Sequence, residues 1–283
     1  MKKIALLLKT DTEKGIMCGK EAIDILLDLG CTLFAEEKHK EIIGERQNLT
    51  YTSEKNLYND AECVVVFGGD GTIMRAAHST DLPILAINLG RIGYLAELET
   101  NELHLLKELA DNNFTIDYRM RLRCTVCRGE EVIYESHKIL NEIVLSKGSH
   151  SAMPEIEVYC NDEEVGKYFS DGLICATPTG STAYSLSAGG PILDPRCGSF
   201  CISHICPQSF YAKSMVFGQK NILTFRKGKR GHGDLFLTAD GQLITEIKDG
   251  DEVLIARGKI ETRLIKIKKK SFFRVMRSKL SEK

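Results

Sequence analysis

The sequence predicts two kinds of structure in one chain of 283 residues: an α/β part with a doubly wound parallel sheet, then an all-β, sandwich-like part. In the first part, continuous apolar runs recur between helical patterns, which is typical of parallel strands covered on both faces. In the second part, many short strand-like runs follow one another at close spacing. No internal repeat or low-complexity linker separates the two parts, so we expect them to be tightly joined.

The α/β part is predicted over residues 1–117. Its strands are the apolar runs at residues 4–8, 32–35, 63–67 and 83–88. Helices are predicted over residues 21–29, where Gly30 ends the pattern, and over residues 102–110. Because parallel sheets bind ligands at the carboxyl ends of their strands, the residues after each strand are the first candidates for a site.

The β-rich part is predicted over residues 118–270. Its strands are the runs at 122–127, 132–136, 139–145, 156–160, 173–176, 222–225, 235–238, 243–247 and 253–256. An amphipathic helix is predicted over residues 271–281, and we expect it to pack back on the α/β part.

Composition indicates a globular protein with no feature of a nucleic-acid or membrane protein. The net charge is −1. The basic segment 257–283 is typical of a solvated helix face, and an anion-binding arm is the alternative. The N-terminal apolar run is too short for a signal peptide, and no stretch reaches transmembrane length. Ten cysteines, mostly inside apolar runs, predict reduced thiols and a cytoplasmic location.

A glycine-rich turn with a single carboxylate, Gly68-Gly69-Asp70-Gly71-Thr72, follows the buried run at residues 63–67. Glycines let backbone N–H groups approach an anion, and the helix predicted to follow adds a favourable dipole. A negative charge would repel phosphate, so Asp70 is expected to hold a metal or accept a proton. The alternative is a plain β-turn, since Gly and Asp are common turn residues.

Two further segments carry polar chemistry. Residues 170–191 are predicted to run from a strand through a turn of small residues to a short helix, with hydroxyls suited to a polyol or phosphate. Asn141-Glu142 lies in a strand pattern, where an amide suits an adenine edge and a carboxylate suits ribose hydroxyls. A capped helix start and a solvent-facing pair are the alternatives. Neither a Walker A loop nor a strand-coupled G-x-G-x-x-G is found in the sequence.

Taken in order, these motifs resemble those of bacterial-type NAD kinases. The resemblance rests on residues 68–72, 88–95, 140–142 and 171–191, and Asp240-Gly241-Gln242 fits as well. Diacylglycerol and sphingosine kinases share the Gly-Gly-Asp-Gly turn, but their Gly-Thr-x-Asn-Asp segment is absent. A lipid or sugar kinase and a non-catalytic dinucleotide sensor are the competing hypotheses, and retention of Asp70 disfavours the sensor.

The resemblance implies a phosphofructokinase-like α/β domain and a specific reaction. The γ-phosphoryl group of ATP, or polyphosphate in some members, is transferred to the 2′-hydroxyl of the adenosine ribose of NAD. A divalent cation, Mg²⁺ or Mn²⁺, is expected to arrive with ATP, and no residues are assigned to hold a metal by themselves. A homodimer or homotetramer is expected.

The resemblance assigns Asp70 as the catalytic base. The residues that it assigns to nucleotide binding are Asp70, Gly71, Arg75, Asn141, Glu142, Asp171, Thr182, Ala183, Tyr184, Ser185, Leu186, Ser187, Cys206 and Gln242. Cys206 lies in the idiosyncratic segment 196–214, where Cys197, Cys201, His204 and Cys206 form a loose cluster that is also compatible with zinc.

Overall fold

The computed structural model describes residues 1–90, 93–149, 152–268 and 272–281. The chain divides into two compact units: unit 1 comprises Met1–Tyr118 and Thr262–Lys283, and unit 2 comprises Arg119–Glu261. The strands, numbered in chain order, are β1 Lys3–Leu7, β2 Thr32–Glu36, β3 Leu49–Thr52, β4 Cys63–Phe67, β5 Ile84–Asn88, β6 Leu98–Glu99, β7 Thr115–Arg119, β8 Leu122–Arg128, β9 Glu131–Ile139, β10 Glu142–Lys147, β11 Glu155–Cys160, β12 Glu163–Ala176, β13 Ser199–Pro207, β14 Met215–Gly218, β15 Leu223–Lys227, β16 Leu235–Ala239, β17 Gln242–Ile247, β18 Asp251–Arg257 and β19 Thr262–Lys266. The helices are α1 Glu13–Asp28, α2 Lys40–Ile43, α3 Asp70–Ser79, α4 Leu106–Ala110, α5 Tyr184–Ser187 and α6 Phe272–Ser281, with 3₁₀ turns at Glu37–His39, Glu54–Asn56, Thr100–Leu105 and Gly180–Thr182.

Unit 1 is built on a sheet in the order β3-β2-β1-β4-β5-β19-β7, with β6 beside β5. The pairs that join β1, β2, β3, β4 and β5 are all parallel. The chain moves to one side from β1 to β3 and to the other side from β4 to β5, so the strand order reverses between β1 and β4. The predicted doubly wound parallel sheet is therefore confirmed, and its switch point lies where the Asp70 turn leaves β4.

Helix α1 begins well before the predicted start at residue 21. Thr12 caps its N-terminus, since its side-chain oxygen accepts the amide of Gly15 at 3.2 Å. A Cβ at Gly15 would lie 2.1 Å from the carbonyl oxygen of Lys9. Glycine thus allows the helix to begin against the end of β1, although glycine disfavours a helix when judged by propensity alone.

Strand β19 belongs to unit 1, which corrects the predicted boundary that placed residues up to 270 in the β-rich part. Leu264 pairs in parallel with Ile84 of β5. The carboxylate of Glu97 also accepts the amides of Ile267 and Lys268, at 3.0 and 2.6 Å. A short β-run carries no local signal for which sheet it joins. Helix α6 is found at Phe272–Ser281; residue 271 of the predicted helix lies outside the described residues, and its packing on the α/β part stays a prediction.

Unit 2 is an antiparallel sheet in the order β17-β16-β10-β12-β11-β15-β18-β8-β9, with β13 pairing β12 and β14. Strand β12 pairs with β11 through residues up to Phe169, then with β10 and β13 from Ser170 onward. One strand thus serves two sheet faces, which enclose a core that includes Phe200, Phe225 and Leu237. The predicted all-β, sandwich-like unit is confirmed, although the sequence indicated only the last four residues of β12 and missed β13.

In the described ranges, no helix combines the length and apolar character needed to cross a membrane.

Candidate active site

Asp70 is the first residue of helix α3, directly beyond the fully buried strand β4. Its carboxylate accepts two backbone amides from the loop after β5: Tyr94 at 2.9 Å and Leu95 at 3.1 Å. A Cβ at Gly93 would lie 2.1 Å from the same carboxylate. The predicted base is therefore held in one orientation by a loop whose close approach requires glycine.

The loop that holds Asp70 is itself anchored by Asn88, which is 1% exposed. The Asn88 side chain donates to Glu99 at 2.9 Å and to the carbonyl oxygen of Gly90 at 3.1 Å, and accepts the Gly90 amide at 3.2 Å. Residues 91 and 92 of the predicted motif lie outside the described residues. The hydrogen bonds of Asn88 therefore fix the start of this loop at Gly90.

A cavity of about 500 Å³ opens beside the Asp70 turn, at the carboxyl ends of β1 and β2. Its lining includes Gly71, Thr72 and Arg75 of helix α3, and Lys9 and Lys38 from the two strand ends. Three cationic side chains and a helix N-terminus around one cavity suit a polyphosphate. Of the residues that line this cavity, only Gly71 and Arg75 are among the predicted site residues. Lys9 and Lys38 are brought to them by the arrangement of the strands, which the sequence does not show.

A buried histidine, His39, also lines this cavity. The imidazole of His39 shares a hydrogen bond with the hydroxyl of Thr10 at 3.0 Å, and Glu36 pairs with Lys38 at 2.6 Å. Burial lowers the pKa of His39 against the opposing effect of Glu36, and the nearby Lys38 and Arg75 lower it further. A neutral His39 therefore leaves the positive charge of this cavity on its lysines and arginine.

In unit 2, Asn141 and Glu142 lie where β10 begins, and the Asp240 carboxylate accepts the backbone amides of both. Glu142 is 8% exposed, and its Oε2 is buried without a hydrogen-bond partner in the described part of the chain. Burial, reinforced by the negative charge of Asp240, raises the pKa of Glu142 from 4.5 to about 7. The predicted ribose-binding carboxyl is thus enclosed, and its surroundings disfavour the ionised form.

The strand registers gather several predicted residues at this end of unit 2. Glu142 pairs with Ala176, after which the chain enters the 3₁₀ turn and helix α5, and Gln242 begins β17 beside Ala239. The predicted residues near this end are Asn141, Glu142, Thr182, Ala183, Tyr184, Ser185, Leu186, Ser187 and Gln242. Tyr184 and Ser187 are exposed, whereas the Ser185 hydroxyl is buried against that of Ser203 at 3.1 Å. Ser185 therefore fastens helix α5 to β13.

Asp171 and Cys206 lie away from that group. Gly172 pairs with Ile205 and Ser170 with Pro207, which sets Asp171 beside Cys206. Asp171 and Ala176 are five residue steps apart along the extended strand, a span of roughly 16 Å. Asp171 forms an ion pair with Lys147 at 2.9 Å, a contact that the sequence did not indicate.

The loose Cys/His cluster does not assemble as a metal site. Across the described residues, no group of three or more His, Cys, Asp or Glu side chains is arranged to hold a metal ion. His204 is buried beside Tyr168, with ring centroids 4.4 Å apart, whereas Cys197 and Cys206 are exposed.

Two family models match this chain. The ATP-NAD kinase N-terminal domain matches residues 4–114, and the ATP-NAD kinase C-terminal domain matches residues 140–267. The NAD kinase of Caldanaerobacter subterraneus subsp. tengcongensis is 36% identical over 100% of both chains. The NAD kinase of Citrifermentans bemidjiense is 36% identical over 99% of this chain and 98% of its own.

Solved structures agree in fold. A yeast NADH kinase, crystallised with NADH, has a TM-score of 0.89 at 23% identity and covers 99% of this chain and 88% of its own. An NAD kinase from Archaeoglobus fulgidus, in complex with ATP, has a TM-score of 0.74 at 25% identity, and the match covers 99% of this chain and 98% of that one.

The fold, the candidate site and the matches together define the class of protein, which is a kinase that transfers a phosphoryl group to a nucleotide. More particularly, the chain belongs to the ATP-NAD kinase family, and it is an enzyme that phosphorylates NAD. The activity predicted from the sequence is confirmed, and the lipid or sugar kinase and the sensor are set aside.

Proposed function

We propose that Asp70 is the general base of the transfer from ATP to the 2′-hydroxyl of the adenosine ribose of NAD. The ribose oxygen forms a bond to the γ-phosphorus, the bond from that phosphorus to the ADP oxygen breaks, and the hydroxyl proton passes to Asp70. A carboxylate is a weak base, and phosphoryl transfer depends chiefly on positioning. The two amides that fix the Asp70 carboxylate support this role.

We assign the cavity of unit 1 to the phosphates of the donor. Lys9, Lys38 and Arg75 supply positive charge, and the Gly71 backbone at the start of α3 offers N–H groups to an anion. ATP is the proposed donor, since both family models describe ATP-dependent enzymes. Polyphosphate carries the same kind of charge, so it is the alternative donor to be compared.

A divalent cation, Mg²⁺ or Mn²⁺, fits this cavity when it is carried by the donor phosphates. Such ions use one or two carboxylates together with phosphate oxygens and water, and Asp11 is the carboxylate that lines the cavity. When bound, the ion neutralises charge on the phosphates. The residues of the chain bind the phosphates and orient the acceptor hydroxyl.

On the acceptor side, the proposed contacts of NAD are in unit 2. Asn141 and Glu142 suit the adenosine portion, because the buried Glu142 carboxyl offers an unpaired oxygen to a ribose hydroxyl. Asp171, Gln242, Cys206 and residues 182–187 are proposed to hold the rest of the dinucleotide. A cytoplasmic location and a homodimer or homotetramer stay predictions.

The observation that carries the proposal is the oriented Asp70 carboxylate beside a cationic cavity at the switch point of the sheet. The test is to incubate the purified protein with ATP, Mg²⁺ and NAD, and to detect NADP with an NADP-specific dehydrogenase. We expect NADP to accumulate with ADP in equal amounts. Absence of NADP with either metal and with either donor would contradict the proposal.

A further inference from the structure

Strands β16 and β17 form a β-hairpin whose two-residue turn consists of Asp240 and Gly241. Ala239 pairs with Gln242 across this turn, and the φ angles of Asp240 and Gly241 are 46° and 78°. Two successive left-handed residues make a type I′ turn, for which Asp-Gly and Asn-Gly are both favoured. Turn formation alone therefore explains a short polar residue at position 240 but does not require a carboxylate.

The Asp240 carboxylate contacts three successive backbone amides. Its Oδ2 accepts the amide of Leu140 at 2.7 Å, and its Oδ1 accepts those of Asn141 at 2.8 Å and Glu142 at 3.0 Å. The Asp240 amide also donates to the Glu142 carbonyl oxygen at 2.9 Å. Hydrogen bonds to an ionised acceptor are stronger than neutral ones, so the carboxylate holds this segment more firmly than a turn amide would.

The opposite side of the same segment is held by residues that follow β12. The Thr177 hydroxyl donates to the Leu140 carbonyl oxygen at 2.6 Å, and the Thr177 amide donates to that of Asn141 at 2.9 Å. A Cβ at Gly180 would lie 2.1 Å from the Asn141 carbonyl oxygen. The backbone of residues 140–142 is therefore fixed by Thr177 at the carbonyl groups of Leu140 and Asn141, and by Asp240 at its three amides.

We propose that Asp240 is a positioning residue for NAD binding, which acts through the backbone of residues 140–142 to aim the Asn141 and Glu142 side chains. This inference rests on the proposed role of Asn141 and Glu142 in binding the adenosine portion. A buried carboxyl with an unpaired oxygen binds a hydroxyl well only where its geometry is fixed in advance, because preorganisation reduces the entropy lost on binding.

The decisive variant is Asp240→Asn, because Asn-Gly keeps the type I′ turn while removing the charge and one of the two acceptor oxygens. We expect the KM for NAD to rise roughly tenfold or more, with the KM for ATP unchanged. Asp240→Gly, which keeps the turn and removes the whole carboxylate, should have a larger effect. The matched control is Asp162→Asn, at an exposed left-handed turn residue between β11 and β12 (φ 69°), which should behave like the wild type.

Amide hydrogen exchange on the ligand-free variants provides a readout independent of activity. In Asp240→Asn, exchange should accelerate at residues 140–142 and remain unchanged in the core strands of unit 2. An unchanged KM for NAD together with unchanged exchange would overturn the proposal, as would equal increases in the KM for NAD and for ATP. Wild-type protein that makes no NADP would refute the proposed function instead, while the exchange result would still report on the contact itself.

Discussion

The backbone amide of Tyr94 donates to the carboxylate of Asp70 at 2.9 Å, although 24 residues separate them in the chain. The amide of Leu95 adds a second bond at 3.1 Å, to the other carboxylate oxygen. Asp70 is thus oriented by backbone from the loop after the neighbouring strand, and side-chain substitutions at Tyr94 and Leu95 leave both donors in place. The weak point of this arrangement is Gly93, where any Cβ meets the carboxylate.

Gly93→Ala should therefore reduce activity without unfolding the protein. Its new Cβ would lie 2.1 Å from Asp70 Oδ1, so the loop or the carboxylate must move. We expect kcat to fall on the order of 100-fold, since the reaction depends on orientation. The control is Gly90→Ala in the same loop, where an added Cβ meets no atom within 4 Å. Equal activities of the two variants would contradict the claim that this contact orients Asp70.

Asp70→Asn tests proton removal separately from binding. The substitution keeps the size of the side chain, so NAD binding measured by calorimetry should be retained, while kcat should fall by about 100- to 10,000-fold. An equal loss of binding and turnover would mean that Asp70 is structural, because its two amide contacts would then matter only for the fold.

Arg75→Met tests the donor cavity. Arg75 is exposed and lines the cavity with Lys9 and Lys38. Loss of one phosphate-binding cation should raise the KM for ATP about tenfold or more, with little change in the KM for NAD. Lys55→Met, at an exposed lysine that does not line the cavity, is the control. A rise in the KM for NAD alone would place the acceptor, rather than the donor, at Arg75.

Local patterns predicted the part of the fold that is decided locally. Strand β4 is recognisable because five apolar residues stand together before the Gly68-Gly69 turn, and all five are buried in the structure. Helix α1 was predicted too short, because the role of Gly15 depends on its contact with the end of β1. The sheet to which β19 belongs depends on Ile84, about 180 residues earlier in the chain, and no local pattern encodes it.

The candidate site likewise has one part that local sequence patterns indicate and another that depends on contacts between distant residues. Asp70 and the Asn141-Glu142 pair stand out by residue type and by their neighbours in sequence. Lys9 and Lys38 are ordinary surface lysines in the sequence, and only the strand order brings them to Arg75. The contact of Asp240 with residues 140–142 likewise spans about 100 residues, so the sequence showed the motif but not its geometry.

Glu142→Gln should change the dependence of stability on pH. The pKa of Glu142 is higher in the folded protein, about 7, than its ordinary 4.5, so the folded state binds this proton more tightly. Its contribution is therefore favourable below pH 4.5 and is lost as the pH rises through 7. Relative to the wild type, the Gln variant should gain roughly 2–3 kcal/mol of unfolding free energy between about pH 5 and pH 8. Urea denaturation of both proteins at the two pH values measures this difference, and a constant difference would contradict the raised pKa.

His204→Phe should also change the dependence of stability on pH, but here the variant should gain stability relative to the wild type as the pH falls. His204 is 5% exposed, neither ring nitrogen has a hydrogen-bond partner in the described part of the chain, and burial lowers its pKa from 6.5 to about 4. Below pH 6.5 the unfolded chain takes up a proton that the folded protein excludes, so stability falls as the pH drops towards 4. The Phe variant keeps an aromatic ring against Tyr168 and should lack this fall. In the wild type, the fall in unfolding free energy between pH 7.5 and pH 5 should be about 2 kcal/mol. Urea denaturation at these pH values measures it, with the same change at the exposed His232 as the control. If both variants follow the wild-type pH dependence, His204 is not the group that destabilises unit 2 in acid.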